Sequence, residues 1–141
     1  MKDNSRFVIA VHTLTLLAEK NQALASNFIA VSVGVNAVTI RKVVGQLRAA
    51  GLVLTQTGAK GGAALGRAPA EITLKDVYLA VRDESVFGAY PDKPNAECRV
   101  GRRLQPALTE LLGDAVQSMI NSLDAITIAD VLAGVLEPES L

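Results

Sequence analysis

Four side chains able to donate to a phosphate or a base edge, Arg41, Lys42, Gln46 and Arg48, fall within one short stretch of the chain. They interleave with Val38, Ile40, Val43, Val44 and Leu47, which recur mostly at three- and four-residue spacing. That spacing predicts an amphipathic helix from Ala37 to Ala50, with the donors mostly on its open surface. Such a face suits the major groove of DNA, although any solvated helix face carries charges, so the reading depends on the surrounding elements. The other reactive group is Cys98, the chain's single cysteine. Arg99, Arg102 and Arg103 follow it, and cations of this kind favour a thiolate and ease its oxidation. An exposed single thiol need not be regulatory. It also cannot form an internal disulfide, which agrees with a reducing compartment. No Cys-His or Ser-His-Asp arrangement is visible, and the one histidine, His12, is far from Cys98 in sequence, so no enzyme is predicted. Within its apolar helix, His12 reads as a packed or half-exposed residue at the edge of the core.

The flanking residues supply the elements that would position these donors. Ser26 is a candidate N-cap for a short helix carrying Phe28, Ile29, Val31 and Val33, and Gly34 permits the sharp turn that follows. Gly51 stands where a helix wants a left-handed residue and ends the donor helix. Leu52 to Thr57 then reads as a strand, Gly58 to Gly62 as a loop, and Ala63 to Leu65 as the returning strand. The result is a helix-turn-helix followed by a wing. Its glycine-rich tip, with Lys60, can come close to a phosphate backbone or a minor groove.

Ahead of this unit, Phe7, Val8, Val11, Leu14 and Leu17 predict a helix from about Ser5 to Glu19 or Lys20 that packs beneath it. Ser5 and Arg6 at its start are candidate phosphate contacts. Two later segments echo one another, Ile72 to Val77 and Ile126 to Val131, each with a threonine N-cap and an aspartate in the first turn. The first is expected to run to Val81 or Arg82 and brace the wing, the second to close near Val135. Asp83 to Glu97, with Gly88, Pro91 and Pro94, reads as a loop. The next helix is expected to begin between Val100 and Gln105, with Pro106 in its first turn. Leu104, Leu108, Leu111, Ala115, Met119 and Ser122 trace a near-heptad seam along it, broadened by Leu112, Val116, Ile120 and Leu123. This stripe is wider than a small winged helix needs, so it is a candidate dimer interface.

The chain has 141 residues, enough for one domain, and its net charge of zero hides an asymmetry. Residues 1–67 hold eight Lys or Arg against two Asp or Glu, and the remainder holds six against twelve, giving +6 and −6. A basic half on a neutral protein is an electrostatic footprint of nucleic-acid binding. No uncharged apolar run reaches the length of a membrane span and no signal-peptide pattern appears, so a cytoplasmic protein without membrane contact is expected.

The motifs resemble a known family. Ala30, Gly34 and Ile40 occupy the small, glycine and aliphatic positions of a helix-turn-helix. Leu47 to Val53, Gly58 to Gly62 and Ala70 to Val77 resemble the Rrf-two (Rrf2) family of bacterial winged-helix transcription regulators, with similarity from about Ser5 to Val135. Pro94 to Gly101 is similar to its YwnA-like and HypR-like subgroup. The resemblance implies that Val38, Arg41 and Lys42 reach base edges, with Arg41 or Lys42 donating to guanine. Thr39 and Gln46 would meet phosphates or bases, and Arg48 the backbone. Many relatives carry arginine before the first wing glycine, where this chain has Thr57, and proline after it, where it has Ala59. Lys60 is the candidate replacement for that minor-groove charge. Relatives that hold an iron-sulfur cluster supply three cysteines near Cys98; with one cysteine here, no cofactor is expected.

The expected fold is therefore mainly α with a small β-hairpin wing, a winged helix-turn-helix plus a long C-terminal dimerisation helix. Residues 1–82 would form the DNA-binding domain, 83–99 a loop, and 100–141 the dimerisation helix and a C-terminal helix that packs back. The expected function is that of a homodimeric regulator, a repressor on a palindromic operator in double-stranded DNA, with Met119 and Leu123 in the dimer contact beside Leu104, Leu108, Leu111 and Ala115. An oxidant, through Cys98, or a small molecule would be its effector. The competing reading is a degenerate winged-helix dimer that works through protein or small-molecule contacts without specific DNA recognition.

Overall fold

A computed structural model describes residues 5–59, 61–83 and 85–139. Helix α1 (Arg6–Lys20) runs through the middle of the core. Its Leu14 and Leu17 are buried beside Ile29, Ile40 and Leu47 of the following helices. Two threonines also lie on its buried side, and each satisfies its hydroxyl within the helix: Thr13 Oγ1 donates to the Ile9 carbonyl at 2.8 Å and Thr15 Oγ1 to that of Val11 at 2.7 Å.

Helices α2 (Ser26–Val33) and α3 (Ala37–Ala49) are bent by 108° at the turn between them, within the range of a helix-turn-helix. Gly34, at φ +82°, makes the left-handed exit from α2 that other residues resist. Ser26 is the first residue of α2 rather than its cap, because Ala25 occupies the cap position and offers no side-chain acceptor. The side-chain cap of this unit belongs to α3 instead. Asn36 Oδ1 accepts from the Val38 amide at 2.8 Å, fixing where the donor helix begins.

Strands β1 (Val53–Gln56) and β2 (Gly62–Leu65) pair antiparallel, with Val53 opposite Leu65 and Gln56 opposite Gly62. The hairpin is anchored by Leu24, which exchanges two backbone hydrogen bonds of 2.9 Å with Ala63. A 3-10 turn (Pro69–Glu71) leads to α4 (Leu74–Val81). This helix does not principally brace the wing; it packs on α1 and α3, with Val77 and Val81 buried. Its link to the hairpin's exit is the Arg67–Asp76 ion pair at 3.6 Å.

Helix α5 (Arg99–Leu111) starts earlier than its sequence suggested, and Pro106 lies in its interior. The lost amide costs little burial there, since α5 has no buried residue and the freed carbonyl can meet water. Leu112 separates α5 from α6 (Gly113–Leu123). Bonds from Leu112 N to Leu108 O and from Val116 N to Leu112 O carry the chain across this break. Ile120 is the buried residue of α6, which packs on α4. Helix α7 (Ile128–Leu136) returns to α1. Among the described residues, no single helix is long and apolar enough to cross a membrane.

Candidate nucleic-acid interface

With Ile40, Val43, Val44 and Leu47 turned into the core, α3 presents Val38, Arg41, Lys42, Gly45 and Arg48 outward, while Thr39 and Gln46 are half-buried at its flanks. The charges on this face have no internal partners among the described residues. Among the described residues the ion pairs join Arg6 to Asp83, Lys20 to Glu19 and Arg67 to Asp76, and none involves Arg41, Lys42 or Arg48. Thus, among the described residues, the cations of the basic half without an ion-pair partner lie together on one helix.

The wing and α2 extend this surface. Arg41 borders an open groove of about 270 Å³ with Ser26 and Asn27 of α2 and Gln56 and Gly58 of the hairpin. The first turn of α2 has no side-chain cap, and free amides at a helix start favour an anion. Sequence reasoning singled out Ser26 only as a helix cap and did not single out Asn27 or Gln56, because only the fold brings the three beside Arg41. Gly45 was also missed. It stands in the interior of α3, where glycine costs about 1 kcal/mol against alanine, yet a Cβ there would meet nothing within 4 Å. Packing inside the chain therefore does not require glycine at this position.

Other candidate residues are placed elsewhere. Arg6 donates to the Val81 carbonyl at 3.2 Å and pairs with Asp83 at 3.4 Å, tying the start of α1 to the end of α4. Thr57 is exposed at the wing, and Lys60 lies outside the described residues. His12 Nε2 is 2.8 Å from Ser32 Oγ, a link between α1 and α2. Cys98 is exposed at the cap of α5. Along the helical seam, Leu104, Leu108, Leu111 and Ala115 are exposed, whereas Met119 and Leu123 are half-buried.

This geometry coincides with similarity to known proteins. The pattern of the Rrf2 family, described as iron-dependent transcriptional regulators, matches residues 3–134. The chain belongs to the Rrf2 family. It is 34% identical over 129 residues to the Bacillus subtilis (strain 168) protein YwnA, named as an HTH-type transcriptional regulator, covering 92% of this chain and 96% of that one. A solved structure described as a DNA-binding protein matches at TM-score 0.69 and 32% identity, over 91% of this chain and 99% of the other. The structure of CymR, the global cysteine regulator of B. subtilis, shares the fold at TM-score 0.63 and 24% identity, over 95% and 98% of the two chains. This Rrf2 protein is a DNA-binding transcriptional regulator with a winged-helix fold, and not an enzyme.

The family's description raises iron, which the donor set here does not fit. Among the described residues no group of three or more His, Cys, Asp or Glu is arranged to hold a metal ion. With one cysteine per chain, a three-thiolate set is not available within a protomer.

Proposed function

We propose that this Rrf2 protein acts as a homodimeric repressor, with two α3 helices in successive major grooves of a palindromic operator. The observation that carries the reading is the set of unpaired, exposed donors Arg41, Lys42 and Arg48 on one face of a capped helix. Val38 and Lys42 at the front of that helix would meet base edges, Val38 offering an apolar contact to a thymine methyl. Arg41, beside the start of α2 and the wing, would share a phosphate with the α2 amides. Thr39, Gln46 and Arg48 would fix the helix on the backbone. The partner protomer would cover the exposed stripe of Leu104, Leu108, Leu111 and Ala115 and set the spacing of the two half-sites.

Salt dependence of binding tests this reading. If Arg41 and Arg48 of each protomer neutralise one phosphate apiece, log K should fall with log salt at a slope of roughly −4. Arg48→Ala, which removes one phosphate contact from each protomer, should reduce the slope by about two and weaken all sequences alike. A slope near zero would contradict DNA recognition and favour the protein-contact reading. The oxidant-responsive form of the proposal rests on Cys98, exposed where α5 begins. It requires that peroxide release DNA from the wild type and not from Cys98→Ser.

A further inference from the structure

The loop between α4 and α5 stands over a groove of about 510 Å³ built from three elements. Tyr78 and Arg82 reach it from the end of α4, Phe87 and Tyr90 from the loop, and Leu108 and Val116 from α5 and α6. A second hollow of about 320 Å³ lies along the same loop and shares Tyr78, Arg82 and Phe87, so the loop is not packed down onto the body. Its aromatic side chains remain wet: Phe87 is 63% exposed and Tyr90 39%.

The groove's charge is equally specific. Asp83 is occupied by Arg6 at 3.4 Å, while the neighbouring Arg82 side chain has no hydrogen bond or ion pair among the described residues. One unneutralised guanidinium thus stands beside aromatic and aliphatic walls. The volume falls within the range of small-molecule sites. We infer that this groove binds an aromatic carboxylate, its ring system between Phe87, Tyr90 and Val116 and its carboxylate on the fork of Arg82. A guanidinium matches a carboxylate with two parallel hydrogen bonds. A polyphosphate would demand more cations than the groove offers.

Such a ligand would touch α4, which packs on the DNA-reading helix α3, and also α5 and α6, which carry the proposed dimer stripe. Its effect on DNA rests on the regulator reading above, whereas its binding does not. Calorimetric titration of the full chain with 2-naphthoate, against the neutral 2-naphthamide, tests binding directly. Saturation by naphthoate at one site per chain is expected, with the amide about tenfold weaker. Arg82→Gln should remove that preference, Arg82→Lys should keep part of it, and Phe87→Ala should weaken both probes. All three substitutions are at exposed positions, and circular dichroism checks that the variants fold.

Absence of saturable naphthoate binding, equal affinity for the two probes, or a preference that survives Arg82→Gln would overturn the proposal. A groove filled by a second copy would give no heat with the wild type and a shifted dimer constant for Phe87→Ala, which also overturns it. Naphthoate binding by a protein that fails to bind any DNA would instead fault the regulator reading and leave the groove assignment standing.

Discussion

Thr73 and Thr127 face one another across an antiparallel bridge, and each caps the helix that begins beside it. Thr73 Oγ1 accepts from the Asp76 amide and Thr127 Oγ1 from that of Asp130, each at 3.1 Å, while the aspartates accept from the threonine amides in return. The Leu74 amide donates to Ile126 O at 2.8 Å and the Ile128 amide to Ile72 O at 2.9 Å. Ile72 and Ile128 are fully buried on either side. This pairing joins the last helix to the DNA-binding unit.

Thr73→Ala and Thr127→Ala should each destabilise the protein by about 1 kcal/mol, the usual loss for a side-chain cap. Because the bridge couples α7 to the core, Thr127→Ala should lower the midpoint of one cooperative urea transition. A separate early transition for the C-terminal segment would show that α7 is not coupled.

Both caps were legible in the sequence because Thr-x-x-Asp before an apolar run is a local signal. Their bridge was not, since pairing between distant segments leaves no local mark. The open face of α3 was legible for the same reason as the caps: Arg41, Lys42 and Arg48 are sorted from the core by helical spacing alone. Arg6 looked equally available, yet its partner Asp83 comes from the far end of α4. The start of α5 was misplaced because Cys98 gives no side-chain cap and Pro106 suggested a first turn.

The wing glycines should respond differently to substitution. At Gly62, φ is +143°, and a Cβ would collide with the Leu24 carbonyl. Gly62→Ala should therefore cost more than about 1 kcal/mol, the ordinary scale of such backbone effects, and detach Leu24 from the hairpin. Gly58, at φ +98° with nothing near its Cβ position, should cost only about 1 kcal/mol of left-handed strain. Thermal unfolding of the two variants checks the order, and equal losses would contradict it.

Gly45→Ala should separate stability from function. The folded state has open space at that Cβ, so alanine should stabilise α3 by about 1 kcal/mol. DNA affinity should nevertheless fall several-fold, because the added methyl stands on the face that approaches the groove. Unfolding and fluorescence anisotropy on one DNA fragment measure both, and unchanged affinity would remove Gly45 from the interface.

Leu111 is 79% exposed, so Leu111→Glu should leave the protomer fold intact. In the dimer it would bury a charge against the partner's apolar stripe, a cost of several kcal/mol. Sedimentation velocity should show dimers for the wild type and monomers for the variant. Dimers of unchanged stability would place the interface elsewhere.

The central claim, that α3 presents a sequence-reading face in a twofold dimer, is tested most directly by selecting fragments of total genomic DNA on the reduced protein near physiological salt and sequencing them. Enrichment of one inverted repeat, with half-sites about one helical turn apart, is the predicted result. Recovery of DNA with no shared sequence by folded, dimeric protein would contradict it.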